Sequence, residues 1–170
     1  MKTFIIADTH FNHPNIIKYC SRPFINVEKM NETIINNWNK AIGKEDIIYH
    51  LGDFAMGSQQ EIYELVGRLN GRIRLVMGNH DTLSYYKLYN CGFDRLYDKP
   101  IILENYWILS HKPPEFTSHT LPFVFCFGHV HNSDVYRTIS PQGVCCCVER
   151  WQYQPVDFED IKQMVEKELS

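Results

Sequence analysis

Residues 121–131 read LPFVFCFGHVH. An apolar run of strand length reaches Gly128, and His129 and His131 follow one residue apart. One H-x-H pair carries little information, since most such pairs bind no metal. Its meaning depends on whether other apolar runs of the chain end the same way.

They do. The strand read over residues 2–7 ends in Asp8-Thr9-His10. The strand over residues 46–51 ends in Gly52-Asp53, and the one over 72–77 in Gly78-Asn79-His80-Asp81. A strand over 106–110 ends in His111. With the strand over 121–127, five apolar strands each deliver metal-ligand types to the loop that follows. In a sheet with parallel central strands those ends lie along one edge. Glycines at 52, 78 and 128 permit tight turns there. Taken singly, D-x-H reads as a surface turn or helix cap, and G-D or N-H-D as a turn. Their joint occurrence, always after a strand, points to one shared site.

The combination resembles the calcineurin-like metallophosphoesterase superfamily. Its pattern, D-x-H, G-D, G-N-H-D/E, H, G-H-x-H, is matched from Asp8 to His131 and so spans most of the chain. The resemblance implies an α/β fold, a four-layer α/β/β/α sandwich of two mixed sheets. It implies two divalent ions (Mn, Fe, Zn or Ni), with Asp53 as the bridging ligand. Asp8, His10 and His131 complete the first ion position; Asn79, His111 and His129 complete the second. The implied catalytic pair is His80, as proton or hydrogen-bond donor to the leaving oxygen, with Asp81 orienting its ring.

The charge balance suits phosphate esters. Two divalent ions bring four positive charges, Asp8 and Asp53 cancel two, and a bridging hydroxide cancels a third. The remaining charge favours an anionic phosphate, and the hydroxide attacks in line with the leaving oxygen. Candidate substrate-binding residues are Asn12, His13 and Arg22. A structural ion pair is the competing reading for Arg22. His50, in an apolar strand, reads as a core histidine, and His119 as exposed.

Around these motifs, helices are expected over 27–42, from a capping box at 58–61 to residue 69, and over 83–90. Strands are expected over 101–103, 135–139 and 144–148, and Asp157 caps a final helix. Residues 1–170 form one domain, with two sheets packed face to face and helices outside. The triplet Cys145-Cys146-Cys147 reads as a strand of small apolar side chains, with metal or redox chemistry as the alternative.

Net charge of -3 gives no basic footprint for long duplex nucleic acid. No apolar run reaches membrane-span length, and the amino terminus turns polar after Ala7, unlike a signal peptide. A cytoplasmic enzyme acting on a small phosphate ester or short nucleotide follows. Family monoesterases carry GDxxDR, whereas GDFAMG at 52–57 has Met56 and Gly57 at the last two positions, so a phosphodiester is expected over a monoester. The alternatives are a phosphomonoesterase or protein phosphatase, a nuclease on short oligonucleotides, and a catalytically silent scaffold of the same fold.

Overall fold

The computed structural model describes residues 1–114 and 122–169. His119 and Leu121, both singled out in the sequence, lie outside the described residues. The first sheet contains β1 (Thr3–Ile6), β2 (Ile47–His50), β3 (Arg72–Val76), β4 (Arg95–Tyr97) and β10 (Val156–Asp157). Its order is β10-β1-β2-β3-β4, with β1 to β4 parallel and β10 antiparallel at the edge. The second sheet contains β5 (Ile101–Leu103), β6 (Trp107–Ser110), β7 (Val124–Phe127), β8 (Ile139–Ser140) and β9 (Gly143–Cys145). Its order is β5-β6-β7-β9-β8, with β6, β7 and β9 parallel. Both sheets are therefore mixed, as expected, and the five ligand-bearing strands each run parallel to a neighbour.

Alternation along the strands assigns each residue to a layer. Phe4, Ile6, Ile48 and Ile73 face α2 (Val27–Ala41), α3 (Gln59–Gly67) and α4 (Tyr85–Tyr89). Ile5, Tyr49, Leu51 and Val76 face the second sheet and meet Trp107, Leu109, Val124 and Val144. The last helix, α5 (Phe158–Leu169), adds Phe158, Ile161 and Val165 to this inner layer. Asn26 caps α2 and Ser58 closes the expected capping box on α3. Among the described residues no helix is long and apolar enough to cross a membrane.

The structure departs from the sequence reading in places. Residues 135–138 form turns, and only Ile139–Ser140 pairs as β8. Arg150 donates to the carbonyls of His131 and Ser133 and so holds the start of this loop by side-chain bonds. The expected strand at 144–148 stops at Cys145. Cys146 N–H donates to Phe127 O in the second sheet, while Cys146 C=O accepts from Ala7 N in the first. All three cysteines of the triplet are buried: Cys146 lies in the layer between the sheets, while Cys145 and Cys147 pack in a separate cluster with Phe127. Helix α1 (Pro14–Tyr19) and strands β4 and β10 were not legible in the sequence. Pro14 at the first helical turn was the available signal for α1.

Two glycines near the end of α3 give opposite expectations. Gly67 is helical and a Cβ there meets nothing within 4 Å, so Gly67→Ala stabilises by about 0.5–1 kcal/mol. Gly71 sits at φ +88° and its Cβ would press on Ile48, Ile42 and Asp46 O, so Gly71→Ala costs about 2 kcal/mol or more. Urea midpoints of the two variants should move in opposite directions from the parent.

Candidate metal centre

The loops leaving β1 and β7 bend through the left-handed region. Asp8, His10, His129 and His131 have φ of 58°, 49°, 72° and 48°, and Asp53 has 56°. Such backbone costs about 1–3 kcal/mol per residue and gathers where function demands it. Asp and His tolerate it better than most side chains. In both D-x-H and H-x-H the two outer residues share this conformation, while Thr9 and Val130 do not.

The result is two groups of side chains. Asp8, His10 and His131 form one, and Asp53, His111 and His129 the other, with ligand atoms within 4.8 Å of each other in each. Hydrogen bonds decide which atom each ligand presents. Asp8 Oδ2 accepts from His129 N–H at 2.8 Å, which leaves Oδ1 buried and without a partner. Asp53 Oδ1 accepts from His80 N–H at 2.8 Å. That leaves Asp53 Oδ2, 3.4 Å from His10 Nε2 and 3.6 Å from His111 Nε2, facing both groups. Asp53 would be the residue able to serve both groups if each held an ion.

The imidazoles complete the case. His111 Nδ1 meets Leu51 C=O at 2.8 Å and must donate to it, because a carbonyl only accepts. Its Nε2 is then a bare lone pair, yet it stands 2.9 Å from Asn79 Oδ1 and 3.2 Å from His129 Nδ1. His111 Nε2, Asn79 Oδ1 and His129 Nδ1 thus converge on one point, as a donor set for a cation would. Among the described residues His10 Nε2 likewise finds no hydrogen-bond partner. His131 Nδ1 bonds Glu149 Oε1 at 3.0 Å, and its Nε2 faces Asp8 Oδ1 at 3.8 Å. The donors fit divalent ions of the N/O-preferring kind, without thiolate.

Electrostatics agree. Burial pushes the Asp8 carboxyl well up, against the opposing field of His131. Burial also lowers His10, and the positive fields of His131 and Arg22 add to this. His131 goes the other way, to about 10: burial lowers it, but bonds to Cys20 and Glu149 and the Asp8 charge outweigh burial.

Several sequence expectations need correction. Arg22 has a fully buried side chain whose donors go to Glu149, Asp8 C=O, Thr9 C=O and the Met30 sulfur. It has no hydrogen left for a substrate phosphate. Asn12 points away from the centre: its amide bonds Asn31 and Met56 C=O, and it borders a different surface depression. Asp81 does not orient the His80 ring. Its carboxylate accepts backbone N–H from Asp53, Phe54 and Gly78, and so ties the G-D loop to the G-N-H-D loop. Burial raises Asp81 to about 6 despite those three bonds.

His13 and His80 both line the cavity of about 450 Å³ that opens over the centre. Their rings lie 5.3 Å and 5.4 Å from that of His10. Ile16, Tyr19 and Cys20, from α1 and its end, also line it, together with Asn132 and Ser133. Sequence reasoning missed these residues and Glu149. A lone glutamate after the cysteine triplet has no spacing to the other motifs that would have marked it.

The sequence model described as calcineurin-like phosphoesterase matches residues 1–162. The chain belongs to this family. Membership supports metal-dependent hydrolysis of phosphate esters and the binding of divalent ions. Uncharacterized protein MJ1445 of Methanocaldococcus jannaschii is 37% identical over 177 residues, covering 98% of this chain and 92% of that protein. A solved protein of unknown function from Aquifex aeolicus, AQ665, superposes with a TM-score of 0.72 at 28% identity, covering 96% of this chain and 98% of that one. The nuclease MPE of Pseudomonas putida shares the fold, with a TM-score of 0.52 at 20% identity over 76% of this chain and 61% of its own.

Behind this phosphoesterase centre, His50 is fully buried and bonds Thr9 Oγ1 at 2.9 Å. Thr9 gives its hydroxyl hydrogen to Phe54 C=O, so His50 Nε2 is the donor and Nδ1 is a bare buried acceptor. Burial lowers His50 to about 3, helped by His111. The unfolded chain takes up this proton below about pH 6.5, while the folded chain does not until about pH 3. The His50 contribution is therefore complete above that upper value and is lost as pH falls, by about 1.4 kcal/mol per pH unit. Urea titrations should show His50→Gln losing about 2 kcal/mol less than the parent between about pH 7.5 and pH 5.

Proposed function

We propose that the protein is a two-ion phosphoesterase that favours phosphodiesters, acting on a small ester or short nucleotide. One observation carries the reading: Asp53 Oδ2 stands between His10 Nε2 and His111 Nε2, at 3.4 Å and 3.6 Å, as the common point of two ligand groups. Bound divalent ions supply screening of phosphate charge and water activated near neutral pH. The chain supplies the rest. His80 N–H holds Asp53 Oδ1, so the residue that anchors the shared carboxylate also sets the exposed His80 ring at the cavity wall. A ring nitrogen of His80 gives its proton to the leaving oxygen of the ester. Asp81 contributes by fixing the loop, with three backbone bonds, rather than by touching the ring. His13 flanks the same wall as a substrate contact. The six free, buried cysteines suit a reducing cytoplasm.

The diester preference has support in the cavity lining. Among the described residues that line it, none is a lysine or arginine; Lys99 and Lys112 lie in the adjoining cavity beside Asn79 and His111. A monoester dianion brings about one more negative charge than a diester near neutral pH, and a guanidinium fork is the usual answer to it. Arg22 is committed elsewhere, and Met56 and Gly57 stand where a monoesterase arginine motif would run. The test is kcat/KM for bis-(p-nitrophenyl) phosphate against p-nitrophenyl phosphate at one pH with one metal. The diester value is expected to equal or exceed the other, and a tenfold monoester preference would overturn this reading.

His80→Ala should retain two ions per chain by metal analysis and lose about 10²-fold or more in kcat. The deficit should shrink with good leaving groups, which need little protonation. An equal deficit for good and poor leaving groups would rule out proton donation by His80.

A further inference from the structure

We propose that Arg22 and Glu149 form a buried brace that sets the aim of His131 and thereby the affinity of one ion position but not the other. This rests on the two-ion reading above.

Glu149 Oε1 collects three donors: His131 Nδ1 at 3.0 Å, Arg22 Nε at 2.9 Å and Arg22 Nη2 at 2.7 Å. Side-chain exposure is 0% for Arg22 and 5% for Glu149, so the ion pair is shielded from water. The same guanidinium donates to Asp8 C=O at 2.7 Å and Thr9 C=O at 2.8 Å. Three loops thus meet at one pair. The D-x-H turn comes from the first sheet, the H-x-H turn from β7, and Glu149 from the 3-10 turn Val148–Arg150 after β9. With Nδ1 committed to a carboxylate, His131 presents Nε2 to Asp8 Oδ1.

The other histidines have different backing. His111 Nδ1 rests on the neutral Leu51 carbonyl, and His10 Nδ1 lies 3.4 Å from His13 Nδ1. Among these, only His131 has a carboxylate behind it. A carboxylate partner fixes the ring and strengthens the ligand, and its loss typically costs 10–100-fold in metal affinity. Cys20, His131 and Glu149 also lie close enough to suggest a third ion position. The reading is disfavoured because His131 Nδ1 and Glu149 Oε1 already bond each other and the Arg22 charge adjoins them.

The experiment titrates the chelator-stripped full chain with Mn2+, followed by calorimetry and by electron paramagnetic resonance of free Mn2+. Glu149→Ala should weaken one ion about 10–100-fold and leave the other within about twofold. Both variants remove the counter-charge of Arg22, but Glu149→Ala also leaves it without an acceptor and opens a cavity, so Glu149→Gln, which keeps the shape and an acceptor oxygen, carries the test by itself. Its loss should be smaller and confined to the same ion, with far-UV dichroism unchanged. Parental affinity at both positions in folded Glu149→Gln overturns the brace. So does an equal loss at both, which would mark a merely structural role. If the parent binds a single ion, the two-ion reading fails and the brace is judged on that ion: weakening supports it and no change overturns it. A parent that binds no ion overturns both.

Discussion

The backbone of one residue ties the two sheets together. Cys146 donates to Phe127 O and accepts from Ala7 N, so its two backbone groups belong to different sheets. Phe127 precedes the H-x-H turn and Ala7 precedes the D-x-H turn. The seam therefore brings together the two strand ends that carry Asp8, His10, His129 and His131. A large side chain at Cys146 would disturb this seam, since Cys146 is buried in the packed layer between the sheets. Gly128 answers to the same crowding, because a Cβ on it would collide with Asp8 and Ala7.

Once the loops are held, the centre is an exercise in compensating buried charge. A desolvated carboxylate is costly unless hydrogen-bonded or paired. Asp8 and Asp53 each give one oxygen to a backbone N–H and turn the other inward. Asp81 gives both oxygens to backbone N–H groups and keeps none for ligation. These three aspartates are close in the fold and differ in role because of where nearby amides point. Glu149 is compensated by Arg22 and His131 in a separate layer behind the first ion position.

Much of this was legible from residue order. Apolar runs ending in ligand types predicted the five strands and the single edge on which they converge. Alternation and caps predicted α2 and α3. The candidate ligand residues could be named because each motif is local: strand, tight turn, side chain. Sequence alone also placed His50 correctly in the core, through the apolar residues around it.

Tertiary structure decided what depends on partners distant in the chain. Arg22 and Asn12 look like phosphate binders in a loop beside D-x-H, yet Arg22 meets Glu149, 127 positions away. Asp81 adjoins His80 in sequence, but its bonds reach residues 53 and 54. Residues 135–138 have strand-like composition, but Arg150 takes the carbonyls at the start of their loop. Residue type and spacing determined which groups could serve as ligands, because those are properties of a strand and its turn. Which oxygen or nitrogen each ligand turns inward was set by hydrogen bonds across the seam, and a linear pattern holds no record of those.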